Sequence, residues 1–190
     1  MNMIDVRITN ESQDLEKLIG SELIKYTHDP LVYSNSVFGV VGLYLSDSNY
    51  AITNFTEKMD YYGDEEDVAI FKLESKGNDI ICSAVENVKM IDIPVSQIIS
   101  KVMIVNEHQK LFKDDKQIYD VKLTRGLILE LEDGLQLSFE KNVWFSEDIT
   151  VTKGYDLIKS FSPVEEFIDG WEEPYSAECN REVITLNAGK

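Results

Sequence analysis

The chain has 190 residues, 18 of them basic and 35 acidic, giving a formal net charge of −17 at pH 7. A hydrophobic content of 43% with 10% aromatics belongs to a chain that folds and not to an acidic disordered tail, and the length suits a single domain over residues 1–190. A negative field of that size repels phosphate backbones and anionic lipid headgroups, so nucleic acid and membranes are excluded as expected partners and basic proteins are favoured.

The opening "MNMIDVRITNESQDLEK" lacks the basic start and apolar run of a signal peptide, and no apolar stretch reaches the roughly 18 residues needed to span a bilayer; a cytoplasmic protein is expected. Asn10 with Gln13 has the spacing of a reciprocal helix cap, and Leu15, Leu18, Ile19 and Leu23 recur at helical spacing, which predicts a helix running to Tyr26. His28 then falls where it would meet that helix's C-terminal carbonyls. Strand signals follow. "SVFGVVGLYLSDSNYAITNF" holds two apolar runs around the turn cluster "SDSN", and "VAIFKLES" resumes after the acidic stretch "DYYGDEED" at residues 60–67. "DIICSAVENVKMIDIPV" and "KVMIVNEHQKLF" add strand candidates, with Pro94 expected to interrupt its strand or place it at an edge. Cys82 is expected to be buried in its apolar run, and Cys179, in "SAECNRE", to be exposed.

"GLILELEDGLQLSFEK" is the best-specified element. Leu127, Leu129, Leu131, Leu135, Leu137 and Phe139 all have odd numbers, so a two-residue turn at Asp133-Gly134 would send the two apolar sets to opposite faces. A three-residue loop, Glu132-Asp133-Gly134, instead pairs 131 with 135, 129 with 137 and 127 with 139, and puts Gly134 in the left-handed position of a bulged turn. Glu130, Gln136, Ser138 and Glu140 are then expected to line a solvated face. "EDITVTKGYDLIKSF" predicts a further hairpin near Lys153-Gly154. In "SPVEEFIDGWEEP", Ser162 has the place of an N-cap, Pro163 of the first helical residue and Glu165 of the capping-box partner, with Val164, Phe167, Ile168 and Trp171 on one face. "REVITL" supplies a last strand. The predicted fold is α+β and mainly antiparallel β: a curved sheet or partial barrel with an N-terminal helix and a short C-terminal helix.

Motifs for catalysis are not evident. His28 and His108 stand in no zinc pattern, no "GxSxG" occurs, "FGVVG" lacks the lysine of a phosphate loop, and "DYYGDEED" has tyrosines where a calcium loop needs oxygen ligands. No catalytic residue, metal or cofactor is therefore assigned. What recurs is acid beside aromatics: Asp60, Tyr61, Tyr62, Asp64, Glu65, Glu66 and Asp67 in one stretch, and Trp144 with Glu147 and Asp148 in another. Buried rings supply binding energy at interfaces while carboxylates steer a cationic partner, so these residues form the candidate partner-binding set.

The run "LILELEDGLQLSFEKNVWFSEDITVTKGYDLIKSFSPVEEFIDGW", together with "TNFTEKMDYYGDEEDVAIFKLES", resembles a group of small acidic bacterial cytosolic proteins, some of which are thought to act as immunity or accessory factors near toxin genes. The resemblance covers most of residues 36–171 and brings no catalytic residues with it. It implies a non-enzymatic protein that neutralises or escorts a basic partner, with a toxin nuclease as the sharpest version. The competing expectations are a carboxylate- or metal-dependent enzyme and a phage-type structural or assembly protein.

Overall fold

A computed structural model describes residues 3–8, 12–30, 32–61, 64–142 and 145–187. Twelve strands dominate it: β1 (Ile4–Val6), β2 (Glu22–His28), β3 (Val32–Tyr33), β4 (Ser36–Phe38), β5 (Val40–Leu45), β6 (Asn49–Tyr61), β7 (Asp64–Gly77), β8 (Ile91–Lys113), β9 (Lys116–Leu131), β10 (Gln136–Lys141), β11 (Asp148–Gly154) and β12 (Tyr175–Asn187). Two short α-helices accompany them, α1 (Ser12–Leu18) and α2 (Glu165–Ile168), with a 3-10 helix at Leu157–Ser160.

The strands form one sheet in the order β3-β4-β11-β10-β9-β8-β2-β5-β6-β7, with β1 added parallel to β9 and β12 antiparallel to β8. All other pairings are antiparallel, as expected. The path has two ends, so the sheet is open and the expected partial barrel does not close. Two stretches nevertheless serve both halves of it. Residues 91–98 of β8 pair with β2 and its later residues with β9, while only Gly39 separates β4, which pairs β11, from β5, which pairs β2. Gly39 has φ +66°, and a Cβ there would sit 2.4 Å from the Phe55 ring, so this crossing point requires glycine. As a result Leu23, Val41 and Leu43 from one half share a core cluster with Leu127, Leu129, Leu137 and Phe139 from the other.

The β9–β10 hairpin has the register that side-chain parity requires. Leu129 pairs with Leu137 and Leu127 with Phe139, the Leu131 N–H donates to the Leu135 carbonyl at 2.8 Å, and Gly134 has φ +83°. Pro94 lies opposite Lys25, on the portion of β8 that pairs β2 alone among the described residues, so it sits at an edge as expected.

Several expectations are corrected. The N-terminal helix stops at Leu18, and Leu23 and Tyr26 belong to β2, because their burial serves the sheet's core and the apolar spacing fits both periods. Asn10 lies outside the described residues. His28 therefore caps no helix; its Nδ1 lies 2.6 Å from the Asp29 carbonyl. The hairpin expected near Lys153-Gly154 is a single strand followed by a turn with Asp156 at φ +55° and the 3-10 helix. Helix α2 keeps its apolar face, with Phe167 buried, but Val164 is its N-cap and makes no side-chain cap, while the Ser162 N–H donates to Glu140. The cysteines are exchanged: Cys82 is exposed in the irregular segment 78–90, and Cys179 is buried on β12.

Candidate functional site

The acidic stretch is the end of a long two-stranded ribbon. Strands β6 and β7 pair without interruption from Tyr50 to Tyr61, setting Lys58 opposite Asp67, Met59 opposite Glu66, Asp60 opposite Glu65 and Tyr61 opposite Asp64. Glu65, Glu66, Asp67 and Asp60 are exposed. Lys58 Nζ meets Glu65 at 2.9 Å, and Lys72 pairs with Glu57 further down. From Glu57 to Asp67 there are six acids and one base, so most of this charge is unmatched on the ribbon. Asp60 directly opposite Glu65 is a like-charge cross-strand pair, an arrangement that costs stability and that Lys58 offsets in part through Glu65.

The second acidic stretch meets the same ribbon. Glu147 Oε1 accepts the Thr56 backbone N–H at 2.8 Å and its hydroxyl at 2.9 Å, while the Asn54 amide donates to the carbonyls of Ser146 and Asp148 at 3.0 and 3.1 Å. Asp148 itself pairs with Phe38 at the start of β11. Glu147 thus clamps β6 four residues before Asp60, about 13 Å along the strand, with its carboxylate partly spent on Thr56. Tyr62 and Trp144 lie outside the described residues, and of Tyr61 and Asp64 only the backbone is described.

A second polar assembly, which sequence reasoning missed, is buried. The face of β9–β10 opposite the leucines, expected to be solvated, is covered by the 3-10 helix and the segment to α2: Leu157 and Phe161 pack on Val105 and Ile128. Gln136, Ser138 and Glu140 are all buried in consequence, and Lys141, at the end of β10, is buried beside Arg125 and the apolar side chains of β7. On the same face, Phe167 of α2 packs with Leu111, Tyr119, Val121 and Cys179. Between these two apolar clusters runs a belt of charge.

A bulge creates its first member. Asn106 pairs with Thr124 and Val105 with Gly126, so Arg125 is the extra residue, which re-aims its side chain inward. Arg125 Nε donates to Glu140 Oε1 at 3.2 Å, and the same oxygen accepts the Ser162 N–H at 2.9 Å. The Ser162 carbonyl accepts Arg181 Nη2 at 2.6 Å, and Arg181 Nε donates to Glu107 Oε1 at 3.1 Å. Glu107 Oε2 accepts from Gln109 at 2.9 Å. Side-chain exposures of 5% for Arg125, 7% for Glu140 and 3% for Glu107 place both pairs out of bulk water. Next to Gly126 the chains are so close that a Cβ would lie 2.3 Å from the Phe139 carbonyl oxygen.

Lys141 adjoins this belt. Burial, then the positive charge of Arg125, pushes its ammonium down to about 7, against a smaller opposing pull from Glu107. The space it shares with Arg125, Gln109 and the apolar side chains of β7 amounts to about 10 Å³, room for about one water molecule and not for a substrate. The belt is therefore a clip: it ties β8, β9, β10 and β12 to the covering segment through the two backbone groups of Ser162. A legible signal was the pairing of Leu157 and Phe161 with the polar face of β10, since two large apolar residues after β11 need a surface to cover. Cys179 is inert beside the belt, its thiol pushed up to about 12 by burial first and Glu107 second.

Among the described residues no group of three or more His, Cys, Asp or Glu side chains is placed to hold a metal ion, and no helix is long and apolar enough to cross a membrane. No known protein family, curated protein or solved structure matches this chain.

Proposed function

We propose that this chain is a non-enzymatic, acidic binding protein that engages a basic protein partner through the end of the β6–β7 ribbon, neutralising or escorting it. A toxin nuclease whose cationic phosphate-binding cleft is occluded by the ribbon is the sharpest form of this reading. The observation that carries it is the like-charge pair Asp60 and Glu65, set opposite each other on exposed strands with Glu66 and Asp67 beside them. Lys58 meets Glu65 alone, so a partner's cationic side chains inserted beside Asp60, Glu66 and Asp67 pair carboxylates that the ribbon itself leaves largely unmatched. The Glu147 clamp on Thr56 supports the reading further, since it braces the ribbon at its base and limits what is lost in ordering it on binding.

The test is capture of partners from the source cells at low salt, with the intact protein and with the variant Asp60→Asn, Glu65→Gln, Glu66→Gln, Asp67→Asn. A basic protein held by the first, lost from the second and released as salt rises is the expected result. Recovery of no basic protein at low salt, or equal recovery by both, defeats the proposal.

One observation favours the assembly reading instead. Over its 13 residues β12 pairs only with β8 among the described residues, and a long edge strand of this kind is a template for adding a strand from another chain. Light scattering across a concentration series separates the two: growth into oligomers supports assembly, and a constant monomer mass supports the acidic binding role.

A further inference from the structure

Strand alternation gives the β5–β6 pair two different faces. Val41, Leu43 and Ile52 turn to the main core, while Val40, Ala51, Thr53 and Phe55 turn the other way, where the irregular segment 78–90 lies against the strands. Two hydrogen bonds hold that segment: the Ile81 N–H donates to the Tyr44 hydroxyl at 2.9 Å, and the Asn49 amide donates to the Asp79 carbonyl at 3.0 Å. Ile81 closes a small apolar cluster with Val40 and Ala51, and a Cβ on Gly42 would lie 3.1 Å from its Cδ1, so the close approach uses the bare backbone of position 42. Beside this contact, between the segment and the strands, lies a concavity of about 350 Å³.

Most of its lining is apolar, and Ile80 at the rim is 81% exposed, leaving aliphatic surface for a ligand to cover. Thr53 puts a polar group on the floor. The residue is 8% exposed, and its hydroxyl has no hydrogen-bond partner among the described residues, yet it is not sealed from the surface as Asn54 Oδ1 and Asn106 Nδ2 are. Lys76 and Asp79 are the charged residues of the border. Lys76 is taken by Glu74 at 2.5 Å, and Lys72, which pairs with Thr53 across the strands, is taken by Glu57. The Asp79 carboxylate has no ion pair or hydrogen bond among the described residues, so the unmatched charge at this border is negative, as it is over the chain as a whole. Asn49, which holds Asp79, is four residues from Thr53, about 13 Å along β6, so the carboxylate and the hydroxyl stand toward opposite ends of the concavity.

We propose that this concavity binds a small elongated amine: an ammonium group paired with Asp79 at one end, an apolar body against Val40, Phe55 and Ile80, and a polar atom bonded to the Thr53 hydroxyl at the other. The lining selects each part. A largely buried hydroxyl without a partner is costly, and a ligand hydroxyl that both donates and accepts satisfies it. An unmatched carboxylate in a strongly anionic chain attracts a cation and repels an anion. The volume falls at the lower end of the roughly 300–1,000 Å³ of ligand pockets, which suits a molecule with a single ring. The concavity is lined by none of the residues at the end of the acidic ribbon and does not depend on the partner proposed above.

The experiment is a titration of the full chain by two-dimensional NMR with tyramine as the probe, and in parallel arms with phenethylamine, which lacks the hydroxyl, and para-hydroxyphenylacetate, which replaces the ammonium by a carboxylate. Saturable shifts confined to the backbone signals of Thr53, Asp79, Ile80, Ile81 and Ala84 are expected with tyramine, with Kd of about 1 mM or tighter, weaker binding of phenethylamine and the weakest of the carboxylate. Asp79→Asn, at an exposed position, should weaken tyramine about threefold and narrow its lead over the carboxylate; Thr53→Val, which keeps the shape, should remove its lead over phenethylamine. Asp79→Asn keeps the proposal testable should Thr53→Val fold poorly. Saturating tyramine should also slow the reaction of Cys82, which lines the concavity, with a thiol reagent. Shifts that grow linearly or spread over the surface, or no protection of Cys82, would overturn the site. Equal or tighter binding of the carboxylate, or tyramine affinity unchanged in Asp79→Asn, would overturn the amine assignment.

Discussion

Replacing Arg125 with methionine keeps the aliphatic stem in place and removes only the guanidinium, so it isolates the charge of the buried belt. Glu140, with a side chain 7% exposed, then keeps only the Ser162 N–H as a donor in a site that water does not reach. Breaking one side of such a buried pair costs about 3–5 kcal/mol, because the remaining ion has lost its hydration without compensation. Glu166 contributes little to this figure, since its side chain is 47% exposed and its contact with Arg125 is 3.5 Å long. Domains hold about 5–15 kcal/mol in total, so the variant is expected to lose about a fifth or more of its stability and roughly 6–20 °C in Tm. Glu140→Gln keeps an acceptor for Ser162 but leaves Arg125, near Lys141, only its long contact with the half-exposed Glu166, and it is expected to destabilise to a similar degree. The double variant removes both charges at once and is expected to be more stable than the sum of the singles by about 1–3 kcal/mol. Urea denaturation of the four proteins, with equal m-values, measures this cycle. Single losses below about 1 kcal/mol, or strict additivity, would show that the belt is solvated and that the clip does not exist.

Lys141 gives the fold a distinct pH dependence. Its ammonium is depressed to about 7 in the folded state, so between there and its ordinary value near 10.5 the unfolded chain binds the extra proton, and Lys141's contribution to stability rises with pH across that window. Denaturation of Lys141→Met at a series of pH values should lack this rise; an unchanged profile would mean that Lys141 is solvated. Glycine positions separate two kinds of requirement. Gly134→Ala meets open space and only the cost of a left-handed backbone, about 1–2 kcal/mol, whereas Gly126→Ala drives a Cβ against the Phe139 carbonyl and should prevent the β9–β10 pairing, so that soluble, cooperatively unfolding protein is obtained from the first and not from the second. A thiol reagent should titrate one cysteine, Cys82, in the native protein and both after unfolding in denaturant; rapid native reaction of two would contradict the burial of Cys179.

The amino-acid sequence by itself determined what depends on neighbours along the chain. Charge and composition require a folded anionic surface, and the odd-numbered leucines of residues 127–139 allow only one hairpin register, because a slip by one residue would expose the entire apolar set. The chemistry of Gly134 and the apolar face of α2 were legible for the same local reason. What lies across the fold was decided by tertiary packing. Leu23 and Tyr26 satisfy helical and strand spacing alike, and their place in β2 follows from a core that closes around them. Glu140 and Ser138 alternate as solvent-facing residues do, yet Leu157 and Phe161 return 20 residues later to bury that face and make a charge belt of it. Cys82 and Cys179 exchanged their expected environments because burial depends on which segment lies above a strand, and no local pattern records that. The acidic ribbon was visible as a run of letters, and the opposition of Asp60 to Glu65 is a local matter of hairpin register, but the clamp from Glu147 arises only when segments distant in sequence are brought side by side.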